Sequence, residues 1–275
     1  MQPTLDKAAT LDALPPPWAD NLLPGLQSTI ARINRKVWIL DDDPTGTQTI
    51  AGLPVITRWD VTTLRAEFTQ PDVGCFILTN SRGITAEQSR RLHRQLMQNL
   101  NAAAEGRDFT VISRSDSTLR GHFPLETDVI AAGMGGADLT LIAPFFAAGG
   151  RLTLNDTHYV VEKDTLVPAG ETPFAHDAVF GYRASHLPTW VEEKTQGQIA
   201  AADVVCLSLE LIRTGGPAAV AEALKNAPSG SMVIANAILQ SDIEVVATAM
   251  VAAEAAGRKI IARTAIRLQI FHILP

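Results

Sequence analysis

Cysteine is scarce. Cys75 and Cys206 are the only two in 275 residues, and each sits inside an apolar run. That usage excludes a disulfide framework and reads as buried thiols in a reduced compartment. No run of Lys and Arg occurs and the formal net charge is −6. Nucleic acid and anionic membranes are therefore excluded as main partners. No apolar stretch approaches the roughly 20 residues a membrane span needs. The amino end carries Asp6 and Leu14-Pro15-Pro16-Pro17 in place of a basic-then-apolar signal. Familiar catalytic signatures are also missing. There is no GxSxG elbow, and neither GxxxxGK[ST] nor GxGxxG follows a strand. His122, His158 and His186 lack metal-ligand spacing and are expected to be structural or on the surface. Gly133-Met134-Gly135-Gly136 ends a helix and reads as a C-cap. The expectation is a cytoplasmic α/β protein with no metal site and no nucleotide-binding loop of its own.

What is present is a core. The chain is 46% hydrophobic and 19% charged, enough for one large domain or two small ones. Residues 1–35 form an extension, with a stiff Pro15–Pro17 spacer and helical spacing over 19–33 that breaks at Pro24-Gly25. Buried strands are expected at 37–40, 53–57, 74–79, 109–112 and 139–143. After an irregular segment the pattern resumes with strands at 203–209, 232–235 and 259–262. Helical stretches alternate with them. Asp60 can cap one. Thr85 and Gln88 fit a capping box at the start of another, which runs to about Ala104. Helices are also expected after Pro124 and at 217–225 and 241–256. Repeated alternation of this kind gives a mostly parallel, Rossmann-like sheet with helices on both faces. Residues 151–168 depart from it as a β-hairpin insertion, with Asn155-Asp156 as the turn.

Three strand ends are polar: 41–49, 79–82 and 113–121. In a parallel sheet they lie along one edge, where open α/β sheets bind ligands. Asp41, Asp42 and Asp43 repel one another and need donors, a cation or a proton. Asp42 and Asp43 can accept bonds from sugar-like hydroxyls, or serve as a general base. Arg82, Arg114 and Arg120 are fork donors for carboxylate or phosphate, and Asn80, Ser115, Ser117 and Thr118 add neutral groups. Acids for hydroxyls and arginines for an anion describe a site for a small polyhydroxy acid. Plainer alternatives stand beside this: an exposed acidic turn, surface ion pairs for each Arg and capping for Ser and Thr.

Asp42-Asp43-Pro44-Thr45-Gly46 resembles the DD-x-TG motif of the four-carbon acid sugar kinase family, formerly an uncharacterised-domain family. Asp116-Ser117-Thr118-Leu119-Arg120-Gly121 is similar to its longer second motif, DSTLRG. Thr79-Asn80-Ser81-Arg82, Gly150-Arg151, Glu171-Thr172-Pro173-Phe174-Ala175 and Ser185-His186-Leu187 follow in the family order, as does 232–264. The resemblance spans about residues 36–265. It implies the sugar-binding half of an ATP-dependent kinase acting on threonate, erythronate or 3-oxo-tetronate-like acids. ATP and Mg²⁺ are implied too, bound mainly by a second, C-terminal domain that this sequence lacks. Residues 266–275 look unrelated to the family, and a truncated or frameshifted reading frame is the expectation that accounts for them. Asp42 and Asp43 are the expected catalytic residues. The expected substrate-binding set is Asp42, Asp43, Thr45, Gly46, Asn80, Ser81, Arg82, Asp116, Ser117, Arg120 and Gly121. The chain alone should bind and not turn over, with a homodimer as one expected assembly. The rival readings are a non-catalytic sugar-acid binding module and a Mg²⁺-dependent hydrolase or phosphatase built on Asp41–Asp43. A third is a fragment stable only as an oligomer, its interface sealed by the apolar tail 270–274.

Overall fold

The computed structural model describes residues 2–44 and 52–265. Thr45 and Gly46, and the tail 266–275, lie outside the described residues. The chain opens with β1 (Leu5–Asp6) and α1 (Lys7–Asp12), capped where Asp6 accepts from the Ala9 N–H at 2.8 Å. Helix α2 (Leu23–Ile33) follows. The break expected at Pro24-Gly25 is instead a helix start, because a first-turn Pro has no intrahelical bond to lose. Then come β2 (Lys36–Asp41), β3 (Val55–Ile56), α3 (Val61–Phe68), β4 (Gly74–Leu78), α4 (Ala86–Ala104), β5 (Phe109–Arg114), α5 (Leu125–Gly133) and β6 (Leu139–Ala143). The insertion carries β7 (Arg151–Leu154), β8 (Thr157–Glu162), β9 (Thr165–Pro168) and α6 (Leu187–Lys194). The chain returns through β10 (Val205–Leu207), α7 (Gly216–Asn226), β11 (Ser231–Ala235), α8 (Gln240–Ala255) and β12 (Ile260–Thr264).

The main sheet has eight strands in the order β10-β11-β6-β12-β5-β2-β4-β3, all parallel. Strand β2 is central and buried along its whole length. Val37 and Ile39 face the core built with α2, α7 and α8, while Trp38 and Leu40 face the core built with α3, α4 and α5. Coverage of both faces is why these strands read as continuous apolar runs and not as alternating ones. Strands β3 to β6 step across the sheet in one direction, and β10 to β12 step back in the other from the opposite edge. Helices α3–α5 lie on one face and α7–α8 on the other, as crossovers of a single hand require. The two series interleave at the centre, where β12 lies between β6 and β5.

The insertion exceeds a hairpin. Strands β7 and β8 do form the expected hairpin, with Asn155 and Asp156 both at positive φ. Strand β9 extends it and β1 completes a four-stranded antiparallel sheet. This small sheet is tied to the end of β11. Thr153 and Ala237 exchange backbone bonds of 2.9 and 3.0 Å, and Asn236 accepts from the Asp156 N–H at 2.8 Å. Among the described residues no helix is long and apolar enough to cross a membrane.

Candidate functional site

Strands β5, β2 and β4 are neighbours, so the three polar strand ends arrive side by side. Backbone bonds hold them there. The Asp41 carbonyl accepts from the Thr79 N–H at 2.9 Å and from its hydroxyl at 2.8 Å. The Asp42 N–H donates to the Arg114 carbonyl at 3.3 Å, and the Ser115 N–H to the Thr264 carbonyl at 2.9 Å. The carboxyl edge of the sheet is thereby fixed almost entirely by the backbone.

Charge then organises the site. Arg114 Nη1 donates to Asp41 Oδ1 at 2.7 Å and lies 3.6 Å from Asp42 Oδ1. Arg82 reaches three carboxylates from two other strand ends. Its Nε lies 3.2 Å from Asp42 Oδ2, its Nη2 3.1 Å from Asp43 Oδ2 and its Nη1 3.4 Å from Asp116 Oδ1. Arg120 Nε donates to Asp116 Oδ2 at 2.8 Å, and its Nη1 lies 3.8 Å from Asp177. The Thr118 hydroxyl also donates to Asp116. Asp41, Asp42 and Asp43 do not converge on one point: Asp41 faces Arg114 and Asp43 faces Arg82. Among the described residues no group of three His, Cys, Asp or Glu side chains could hold a metal.

Burial separates the roles of the carboxylates. Asp42 is 2% exposed. Desolvation, only partly offset by the nearby Arg82 charge, pushes its carboxyl up to about 7. Burial also raises Asp41 against the pull of Arg114. Asp116 is pushed up by burial too, but the Arg120 and Thr118 hydrogen bonds and the charges of Arg120 and Arg82 outweigh that, and its carboxyl lies below the ordinary value. The Asp43 side chain is 28% exposed and that of Asp177 27%, so among Asp41, Asp42, Asp43 and Asp116 it is Asp43 that a solute reaches most readily.

The remaining sequence-expected residues divide between structure and surface. Asn80 is exposed and left-handed at φ 51°. Ser81 is fully buried, with its carbonyl 3.1 Å from His122 Nε2. Ser117 is half-buried. Its carbonyl accepts from His158 Nε2 at 2.8 Å. A carbonyl can only accept, so Nε2 carries the ring proton and Nδ1 accepts from the Thr153 hydroxyl at 3.0 Å. Burial lowers this imidazole to about 4 and keeps it neutral. Gly121 adopts φ +114°, and a Cβ there would stand 3.3 Å from Asp42 Oδ2. Thr45 and Gly46 fall outside the described residues. Sequence reasoning missed Asp177 and Tyr182, and it left Arg263 without a role. Arg263, at the end of β12, is 3% exposed between Phe123 and Trp190 and donates to the Arg120 carbonyl at 3.1 Å. The Tyr182 hydroxyl donates to the Thr118 carbonyl at 2.7 Å. The signal for Arg263 was available: an Arg closing an otherwise apolar strand beside the polar ends.

A cleft of about 550 Å³ opens at the opposite, amino-terminal edge of the sheet, lined by Arg107, Met134 and Arg258 among others. It holds none of the clustered carboxylates. Converging charge at the carboxyl edge, and not cavity size, locates the candidate site.

Residues 37–268 match the model of a family described as a sugar-binding N-terminal domain. A D-threonate kinase of Bordetella bronchiseptica is 31% identical over 113 residues, which is 41% of this chain and 26% of that protein. A crystal structure from the same organism, with bound citrate and described as a domain-swapped dimer, superposes with a TM-score of 0.63 at 23% identity. It covers 86% of this chain and 56% of its own. A Haemophilus influenzae structure superposes with a TM-score of 0.60 at 18% identity, covering 85% and 54%. The chain thus spans little more than half the length of these structural neighbours. The family match covers most of the chain and both of its motif segments, and the chain belongs to the four-carbon acid sugar kinase family through its sugar-binding N-terminal domain.

Proposed function

We propose that this chain holds a four-carbon sugar acid of the threonate or erythronate type as the acceptor for an ATP-dependent kinase. The observation that carries the reading is the grip of Arg82 on Asp42, Asp43 and Asp116, which joins three strand ends into one polar wall. The D-threonate kinase relative supports the substrate class. Asp43 is the partly exposed carboxylate and accepts the substrate hydroxyl. Its role is to draw the proton from the attacking oxygen. Asp42 stands behind it and orients Arg82. Two unbridged thiols, Cys75 and Cys206, fit a cytoplasmic setting.

ATP and Mg²⁺ would supply the phosphoryl group and its charge neutralisation. The family resemblance implies that both are held mainly by a separate unit, and the region 36–265 is assigned here to the acceptor. Titration calorimetry with threonate and erythronate tests this. Saturable binding is expected without ATP, and no heat with any four-carbon sugar acid would overturn it. With a nucleotide-binding domain of a relative supplied in trans, Asp43→Asn should lower turnover by about 10²- to 10⁴-fold. Robust ATP-dependent phosphorylation by the isolated chain would refute the division of labour.

A further inference from the structure

The arginines around the site are not equally committed. Arg82, Arg114 and Arg120 each lie within 4 Å of at least one aspartate. Arg151 and Arg263 have no carboxylate at that range among the described residues. Arg263 is sealed between two aromatic rings and bonded to a backbone carbonyl, so it serves the interior. Arg151 is only half-buried. It begins β7 and is delivered to the site by the antiparallel sheet. Its guanidinium lies 5.3 Å from the centroid of the Phe174 ring, and the Arg120 guanidinium lies at the same distance from that ring. Arg151 Nη1 donates to the Gly149 carbonyl, while its Nε is buried with no hydrogen-bond partner.

Two guanidiniums sharing one aromatic platform repel each other. One of them has an unsatisfied donor. Such a group is costly unless an anion completes it. Arg120 keeps Asp116 and Asp177, so the missing negative charge belongs to Arg151. We propose that Arg151, with Arg120 across Phe174, seats the carboxylate of the bound acid. This rests on the reading of the cleft as a sugar-acid site. The planar fork of Arg suits a carboxylate, and the ring walls off water on one side. Asp116 touches both Arg120 and Arg82, so it links this carboxylate seat to the Asp43 wall that takes the hydroxyls. Arg82, already paired with three aspartates, holds the hydroxyl-binding wall together and leaves the carboxylate to Arg151.

Calorimetry on the full chain with threonate and its uncharged amide separates the two readings. Wild type should prefer the acid by about 10-fold or more. Arg151→Gln should weaken acid binding about 10- to 100-fold and leave the amide within about 2-fold, so that the preference collapses. Arg151→Lys keeps the charge but not the fork and should recover only part of it. Thermal melts confirm that each variant is folded. A folded Arg151→Gln that keeps the wild-type preference overturns the carboxylate seat and leaves the sugar-acid site standing. If Arg151→Gln does not fold, unchanged acid affinity in folded Arg151→Lys overturns it equally. Wild type that binds neither ligand removes the site reading, and the seat with it.

Discussion

At the scale of single residues, the wall of aspartates stores electrostatic free energy. Asp42 holds its proton far more tightly when folded, at about 7, than at the ordinary carboxyl value of 3.8. The folded state therefore carries the extra proton between those values, and stability falls as pH rises from about 4 to about 7. The amount is on the order of a few kcal/mol. Asp42→Asn should remove this slope, so the drop in Tm between pH 5 and pH 8 shrinks relative to wild type. Superimposable Tm profiles would contradict it. His158 acts with the opposite sign. Its folded value of about 4 lies below the ordinary 6.5, so its contribution is lost as pH falls through that interval. Gly121 carries a backbone demand: at φ +114° and 3.3 Å from Asp42 Oδ2, an added methyl is strained and crowded. Gly121→Ala should destabilise by about 1–3 kcal/mol, read as a lower urea midpoint. An unchanged midpoint would show that the turn can relax.

At the scale of elements, local chemistry sets the boundaries. Helix α4 begins at a complete capping box, with the Gln88 N–H donating to Thr85 Oγ1 at 3.3 Å and the Thr85 N–H donating to Gln88 Oε1 at 2.9 Å. Thr85→Ala should cost about 1 kcal/mol in equilibrium unfolding while leaving sugar-acid affinity unchanged, because the cap touches none of the site carboxylates. Asp60 likewise caps α3, accepting from the Thr63 N–H at 3.0 Å, and both caps were legible in the sequence because capping is a contact over three residues. The hairpin turn at Asn155-Asp156 was legible for the same reason. Strand β1 and its pairing with β9 were not. Leu5 pairs with Leu166 across some 160 positions, and a two-residue strand has no periodicity to detect.

At the scale of the whole molecule, a buried ion pair ties the amino-terminal extension to the carboxyl half of the sheet domain. Arg213 Nε and Nη2 donate to Asp242 at 2.8 and 2.9 Å, while Nη1 donates to the Pro15 carbonyl at 2.7 Å. Asp242 also accepts from the backbone N–H groups of Ile238 and Leu239 at 2.9 and 2.8 Å. Removing one partner leaves a buried charge. Asp242→Ala is expected to cost about 3–5 kcal/mol, to be checked by denaturant unfolding. Losing the Pro15 contact should also raise proteolysis near the amino end. A loss below about 1 kcal/mol would mean that water enters and solvates Arg213.

The sequence by itself determined the alternation of strands and helices, the parallel sheet and the three polar strand ends. Each of these rests on apolar runs, caps and turns, whose physics is local. Only the tertiary structure decided how the charges were shared. Arg82 met three aspartates, Arg120 turned to Asp116 and Asp177, and Arg151 arrived from a different sheet with no carboxylate within 4 Å among the described residues. Which arginine is neutralised depends on contacts across tens of residues and on burial. Neither is written in the spacing of a motif.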